Sequence, residues 1–308
     1  MVFLVLGDAN ADVSGALARF PHEGDDSPLL GLGWSSGGSA ANVATALGRL
    51  GARARLVARV GVDPAADVAL RAARAARVDL TQVQQDGAIA TGLCFAAISP
   101  GGERTFFSYR GANVALALPH PDAAFRDVAW LHLGGHALIE GDQRDTALAL
   151  IAEAARRGVP ASLDLCLPLL RGAPEVLIDA LPRLRAVFAN QHEMAAFTAL
   201  AAPRSAAIVI VEKLGDGGAR IGDATVPAFA VEARDTTGCG DAFVGGFLLA
   251  LARGAPLDVA CRLGNALGAL AATRPGAAQA LPSRRDVRAF LAERGATREL
   301  AVIDGEPA

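Results

Sequence analysis

Lysine is all but missing from this chain of 308 residues: Lys213 is the only one, and arginine carries the rest of the positive charge. Aromatic residues make up 5% against 52% hydrophobic residues, so a core must be built mainly from Ala, Leu and Val. The formal net charge of −3 gives no electrostatic reason to expect nucleic acid or an anionic membrane as a partner. No apolar run is long enough to span a bilayer, and the first residues lack the basic segment of a signal peptide. Cys94, Cys166, Cys239 and Cys261 lie far apart without a C-x-x-C pair, which reads as reduced thiols in a cytoplasmic protein. The histidines lack metal-ligand spacing such as H-E-x-x-H. No G-K-[ST] occurs anywhere, which removes a P-loop kinase from consideration.

What the chain does have is alternation. Short apolar runs at 2–6, 54–60, 129–133, 161–165, 186–189 and 207–211 read as strands. Between them, 39–50, 64–77, 142–157, 191–200, 241–253 and 257–272 read as helices. Continuously apolar strands separated by helices predict a mainly parallel sheet covered on both faces, with ligands beyond the carboxyl ends of the strands. Two regions break the pattern. Residues 92–99 and 104–110 read as a hairpin around Pro100-Gly101-Gly102-Glu103, while 11–36 is irregular; together they predict a small β lid. The tail after Gly295 is expected to fray.

Two motifs carry chemistry. Asp235-Thr236-Thr237-Gly238-Cys239-Gly240-Asp241 is a polar, glycine-broken turn leading straight into an apolar helix closed by Gly254. A first helical turn presents free N–H groups to an anion, and Asp241 puts a carboxylate at the same spot. That pairing suits a hydroxyl losing its proton while attacking a phosphate, with Asp241 as base. The competing reading is a glycine-rich helix cap. A Rossmann dinucleotide site fits poorly, because Phe243 stands where the third glycine belongs. The second motif, Gly37-Gly38-Ser39-Ala40-Ala41-Asn42-Val43-Ala44, predicts a helix N-capped by Ser39, with the Asn42 amide in the first turn facing a ligand.

These two motifs, in this order, resemble the signatures of the ribokinase (PfkB-type) carbohydrate kinase family, and the resemblance runs from Leu6 to about Pro282. It implies an α/β fold of three layers, α/β/α, in which a central mainly parallel sheet carries a small β lid from about 11–36 and 90–113. The whole of 1–308 would then be one kinase domain. It implies ATP and Mg²⁺, Asp241 as base, and the amides of Gly238, Cys239 and Gly240 as the anion hole. Cys239 departs from the small residue usual there. Asn190-Gln191-His192-Glu193 resembles the family's N-x-x-E, which puts Asn190 near the ATP phosphates and Glu193 on Mg²⁺ through water. Lys213-Leu214-Gly215-Asp216-Gly217-Gly218 resembles the nucleotide loop, and Asn265 matches a position near adenine. For the sugar, the resemblance points to Asn10, Asp12, Gly37, Gly38 and Asn42, with Arg110 at the end of the lid. Asp164-Leu165-Cys166-Leu167-Pro168 stands where some sugar-acid kinases and fructokinases carry D-x-N-x-R, and Cys166 and Pro168 break that pattern. Many relatives also hold a monovalent cation such as K⁺ through carbonyl oxygens, for which Asp235, Thr237 and the 273–276 turn stand in position here.

The expected activity is therefore transfer of the ATP γ-phosphate to a hydroxyl of a small sugar, with a homodimer formed through the lid. The alternatives are a nucleoside kinase on the same fold, with Phe106, Phe107 or Trp34 stacking the base, and a non-catalytic binding regulator.

Overall fold

The first strand, β1 (Val2–Leu6), is buried along its whole length, and its alternating side chains feed two cores. Phe3 and Val5 face one, Leu4 and Leu6 the other. This is the sequence pattern of a strand in the middle of a covered sheet. The computed structural model describes residues 1–201 and 207–306. In chain order the remaining strands are β2 (Asn10–Leu17), β3 (Leu29–Gly37), β4 (Arg53–Gly61), β5 (Asp79–Asp86), β6 (Gly92–Ile98) and β7 (Arg104–Tyr109). They continue as β8 (Val128–Gly134), β9 (Ala161–Asp164), β10 (Ala186–Asn190), β11 (Val209–Lys213), β12 (Ala219–Ile221) and β13 (Ala224–Val226). The helices are α1 (Ser39–Arg49), α2 (Pro64–Ala75), α3 (Gly141–Arg157), α4 (Leu167–Gly172) and α5 (Pro174–Ala180). They end with α6 (Gln191–Ala199), α7 (Cys239–Ala252), α8 (Leu257–Ala272), α9 (Arg284–Glu293) and α10 (Thr297–Asp304).

Nine strands form one sheet in the order β13-β12-β11-β10-β9-β8-β1-β4-β5, parallel except for β12 and β13 at one edge. Helices α1, α2 and α7 to α10 cover one face and α3 to α6 the other, so the layers are α/β/α. Chain order reverses beside β1, which pairs with β4 on one side and β8 on the other. Such a reversal opens a crevice at the carboxyl ends of the strands. Asp8 lies just beyond β1, and Asp164, Asn190 and Lys213 end β9, β10 and β11 there.

A second sheet, in the order β3-β2-β6-β7, is the lid. The irregular stretch 11–36 resolves into β2 and β3, which the sequence hid behind glycines, serines and exposed leucines. Register assigns its two faces. Trp34, Val13, Phe95 and Phe107 are successive cross-strand partners and share one face, whereas Asp12 pairs with Ser35 and Cys94 on the opposite one. Ser36 ties the lid to α2 by donating to the Val68 carbonyl and accepting from the Ala72 amide.

Helices α1 and α7 meet closely because Gly245 lies against Ala46; a Cβ at Gly245 would come within 2.7 Å of the alanine methyl. That approach brings the first turns of both helices together at the crevice. Among the described residues the stretch after Gly295 is ordered as α10, which buries Val302 and Ile303 against the core.

Candidate active site

Gly38 and Gly238 precede α1 and α7 with φ of 89° and 76°, values that a β-carbon makes costly. Gly38, not Ser39, is therefore the N-cap of α1, and Ser39 is its first residue with no capping bond. The freed Ser39 hydroxyl donates to Asp241 Oδ1 at 2.7 Å, and Asn42 Nδ2 donates to Oδ2 at 2.8 Å. Burial pushes the Asp241 carboxyl up to about 6; Asn42, Ser39 and the charge of Lys213 pull against it, while Asp164 adds to it. Asn42 also has a buried carbonyl oxygen, Oδ1, without a hydrogen-bond partner. An orphaned acceptor beside a carboxylate is matched by a ligand hydroxyl.

The acceptor side continues onto the lid. Asp12 packs so tightly on Gly37 that a Cβ there would fall 2.0 Å from its carboxylate. Burial, and then the charge of Asp241, raise the Asp12 carboxyl to about 7. Asn10 Oδ1 accepts from Asn113 Nδ2 at 2.8 Å, and Asn113 in turn accepts from the Ala9 amide at 3.0 Å. Arg110 turns to Asp8, 3.0 Å from its Oδ1, and also donates to Glu140 and Gln143. Gln143 donates to Asp8 as well. Asp8, Asn113 and Gln143 were not singled out as site residues from the sequence, and Ser39 was read only as a helix cap. Asp8 could have been found from its place at the end of β1; buried Asn113 and Gln143 left no pattern.

On the nucleotide side the predicted residues divide. Asn190 and Glu193 form a capping box, in which Glu193 Oε2 accepts from the Asn190 amide at 2.7 Å. Burial raises the Glu193 carboxyl, as do Asp164 and Asp241, while the Asn190 amide and Lys213 oppose the rise. Among the described residues its second oxygen has no partner, which fits a metal-bound water. Gly218 is wedged under β13, and Asn265 Nδ2 donates to the Val226 and Pro227 carbonyls, so Asn265 holds that loop in place. Gly215 faces open space. Lys213 leaves the loop altogether: its ammonium donates to both oxygens of Asp164, at 2.7 and 2.9 Å.

The three amides expected to form an anion hole are not equally free. Cys239 N–H donates to the Thr236 carbonyl at 3.2 Å, and among the described residues Gly238 and Gly240 carry no such turn bond. Burial raises the Cys239 thiol to about 12. Asp235 and Thr237 are engaged from above: Arg104, on the lid face that carries Asp12, donates to Asp235 Oδ1 at 2.9 Å and to Thr237 Oγ1 at 3.0 Å. Asp235 Oδ2 accepts from the Gly276 amide. These side chains are engaged in the contacts above, which leaves the main-chain carbonyls that the resemblance implies for K⁺ untouched by them.

Comparison with known proteins gives a consistent result. The pfkB family carbohydrate kinase description matches residues 3–284. The chain is 33% identical over 300 residues to an ATP-dependent ribose-1-phosphate kinase from Halopiger xanaduensis, covering 94% of this chain and 98% of that protein. It is 31% identical to a fructokinase from Klebsiella pneumoniae, over 93% and 98% of the two chains. The crystal structure of a fructokinase with bound ATP from Xylella fastidiosa superposes with a TM-score of 0.81 at 25% identity, covering 96% and 99%. The chain therefore belongs to the pfkB family of ATP-dependent carbohydrate kinases.

Proposed function

We propose that this carbohydrate kinase transfers the ATP γ-phosphate to a hydroxyl of an uncharged small sugar, with Asp241 as general base. The observation that carries the reading is the Asp241 carboxylate at the start of α7, held by Ser39 and Asn42 beside the Gly238 and Gly240 amides. Asp241 takes the proton of the acceptor hydroxyl as its oxygen forms the new O–P bond. The bond from the γ-phosphorus to the bridging oxygen breaks, and its electron pair leaves on ADP. The two amides and the α7 dipole oppose the charge that builds on the transferred group. Asn10, Asp12, Gly37, Gly38 and Asn42 receive the sugar, and Asn190, Gly215, Gly218 and Asn265 shape the nucleotide side. Glu193 would hold Mg²⁺ through a water, and the ion would neutralise phosphate charge. K⁺ would be held by the main-chain carbonyls of Asp235 and Thr237 with the 273–276 turn.

An uncharged acceptor is supported by Arg110. Its guanidinium is already bound by Asp8, Glu140 and Gln143, which leaves little positive charge for a carboxylate or phosphate on the sugar. Asp12 and Asp241 add negative charge. The second reading, a nucleoside acceptor, is favoured by one feature: Phe106 is 57% exposed on the lid face that carries Asp12 and could stack a base. The opposite lid face exposes Leu32, Trp34, Phe107 and Tyr109, a surface suited to a second copy of the chain. The chain is proposed to work as one kinase unit with this lid.

The test is ADP release with Mg-ATP, in matched K⁺ and tetramethylammonium buffers, against ribose, fructose, 2-keto-3-deoxygluconate, ribose 1-phosphate, tagatose 6-phosphate, adenosine and inosine. Turnover on a neutral sugar is expected. Turnover confined to the phosphorylated or acidic sugars would overturn the uncharged acceptor, and turnover confined to nucleosides would establish the second reading. Light scattering of the pure protein is expected to give a dimer.

A further inference from the structure

We infer that Lys213 is a catalytic residue of the transfer step, its ammonium touching the transferred phosphoryl group, and that Asp164 is the positioning residue that presents it. This rests on the reading of the α7 N-terminus as the phosphoryl site. By its place in the sequence Lys213 belongs to the nucleotide loop, but its side chain leaves that loop and crosses toward α7. A Cβ at Gly240 would stand 3.3 Å from Lys213 Nζ, so the ammonium lies against the first turn of the helix.

A cation at the positive end of a helix is unfavourable by itself. Asp164 balances it there, accepting two hydrogen bonds at 2.7 and 2.9 Å from a buried position at the end of β9. An ammonium has three donors, and Asp164 takes two of them. Among the described residues the third has no partner, and the ammonium stands against Gly240 in the first turn of α7, where an anion at the helix start would meet both. The neighbouring cations have no such freedom, since Arg104 is bound to Asp235 and Thr237 and Arg110 to Asp8, Glu140 and Gln143.

The groups facing Lys213 agree that it is charged. Burial lowers its pKa, but the charge and hydrogen bonds of Asp164, with Glu193 and Asp241 behind, outweigh that and leave it raised. Below it, fully buried His132 is held neutral, its pKa lowered to about 3 by burial and by Lys213. The proton therefore stays on the lysine, which acts as a fixed electrophile while Asp241 takes the hydroxyl proton. Lys213 stabilises charge and breaks no bond itself.

Calorimetric titration with Mg-ADP and with Mg-AMP-PNP separates this role from a place in the nucleotide loop. Lys213→Met is expected to leave ADP affinity within about threefold and to reduce any preference for the analogue over ADP by roughly 10- to 100-fold, the worth of one charge-assisted hydrogen bond. Its kcat should fall roughly 10²- to 10³-fold with sugar KM little changed. Because a lone Asp164 could unsettle the fold, Asp164→Asn/Lys213→Met should show the same pattern. The acidic limb of kcat/KM supplies the readout for Asp164: removing Asp164 should move it to lower pH and removing Lys213 to higher pH, since the two charges act on Asp241 in opposite directions. Equal losses of ADP and analogue affinity with kcat kept would overturn the proposal. Full turnover in Asp241→Asn, with the Lys213 pattern intact, would overturn the base and not the lysine.

Discussion

Asn42 gives its amide hydrogen to Asp241 Oδ2 over 2.8 Å and keeps its own buried carbonyl oxygen without a partner. One side chain thus orients the proposed base and leaves an acceptor for a second hydroxyl of the sugar, beside the one that the base would deprotonate. Asn42→Ala should raise sugar KM by roughly tenfold. Loss of its hydrogen bond should also move the acidic limb of the rate profile to higher pH. Steady-state kinetics from pH 5 to 8 would measure both, and an unmoved limb would separate Asn42 from the base.

Asp241→Asn keeps the shape of the site and removes the proton acceptor. Its kcat should drop by ~10²–10⁴, the usual worth of a general base, while nucleotide affinity stays within a few-fold. Rapid-quench measurement of a single turnover would place the loss in the chemical step.

In the wild type, kcat/KM should fall as pH drops through about 6, where the Asp241 carboxyl takes up its proton. Asp12 faces it with a carboxyl raised to about 7, so the two titrate as a pair in two overlapping steps. For stability the sign is the reverse of that for a salt-bridged carboxylate. A folded-state pKa above the unfolded one favours folding below about pH 4, and that gain disappears as pH rises through about 7. Asp12→Asn should therefore raise Tm at pH 8 and little at pH 4. The difference is at most about 4 kcal/mol, from the gap between 3.8 and about 7.

Arg104 is the brace from the lid to the turn before α7, through Asp235 and Thr237. Arg104→Ala should loosen the 235–240 turn, seen as faster amide hydrogen exchange there, and raise sugar KM roughly five- to tenfold. Unchanged exchange would mean that the lid contact does not order the turn.

Much of this was legible in the sequence because the signals were local. Helix α8 lies at its predicted bounds, and β1, β8 and β10 fall within a residue of theirs, since unbroken apolar runs leave little choice of element. Edge strands escaped notice: β5 alternates polar residues at the rim of the sheet, and β12 and β13 are three residues each. At the site, glycines and the aspartate before an apolar helix marked the position of Asp241. Ser39 was misplaced because serine is a common N-cap and Gly38, with positive φ, had already taken that role. The Lys213–Asp164 pair spans two strands 49 residues apart, and no local pattern announces it.

The contact between Ala46 and Gly245 has a further consequence for how this kinase can be tuned. It lies one helical turn below Asn42 and Asp241, so it acts as a fulcrum for the two first turns above it. A single methyl at position 245 would drive the helices apart and stretch both hydrogen bonds to the base, with no group at the sugar or the nucleotide altered. The basicity of the site is thus adjustable from inside the core, by the thickness of a side chain that never meets a substrate.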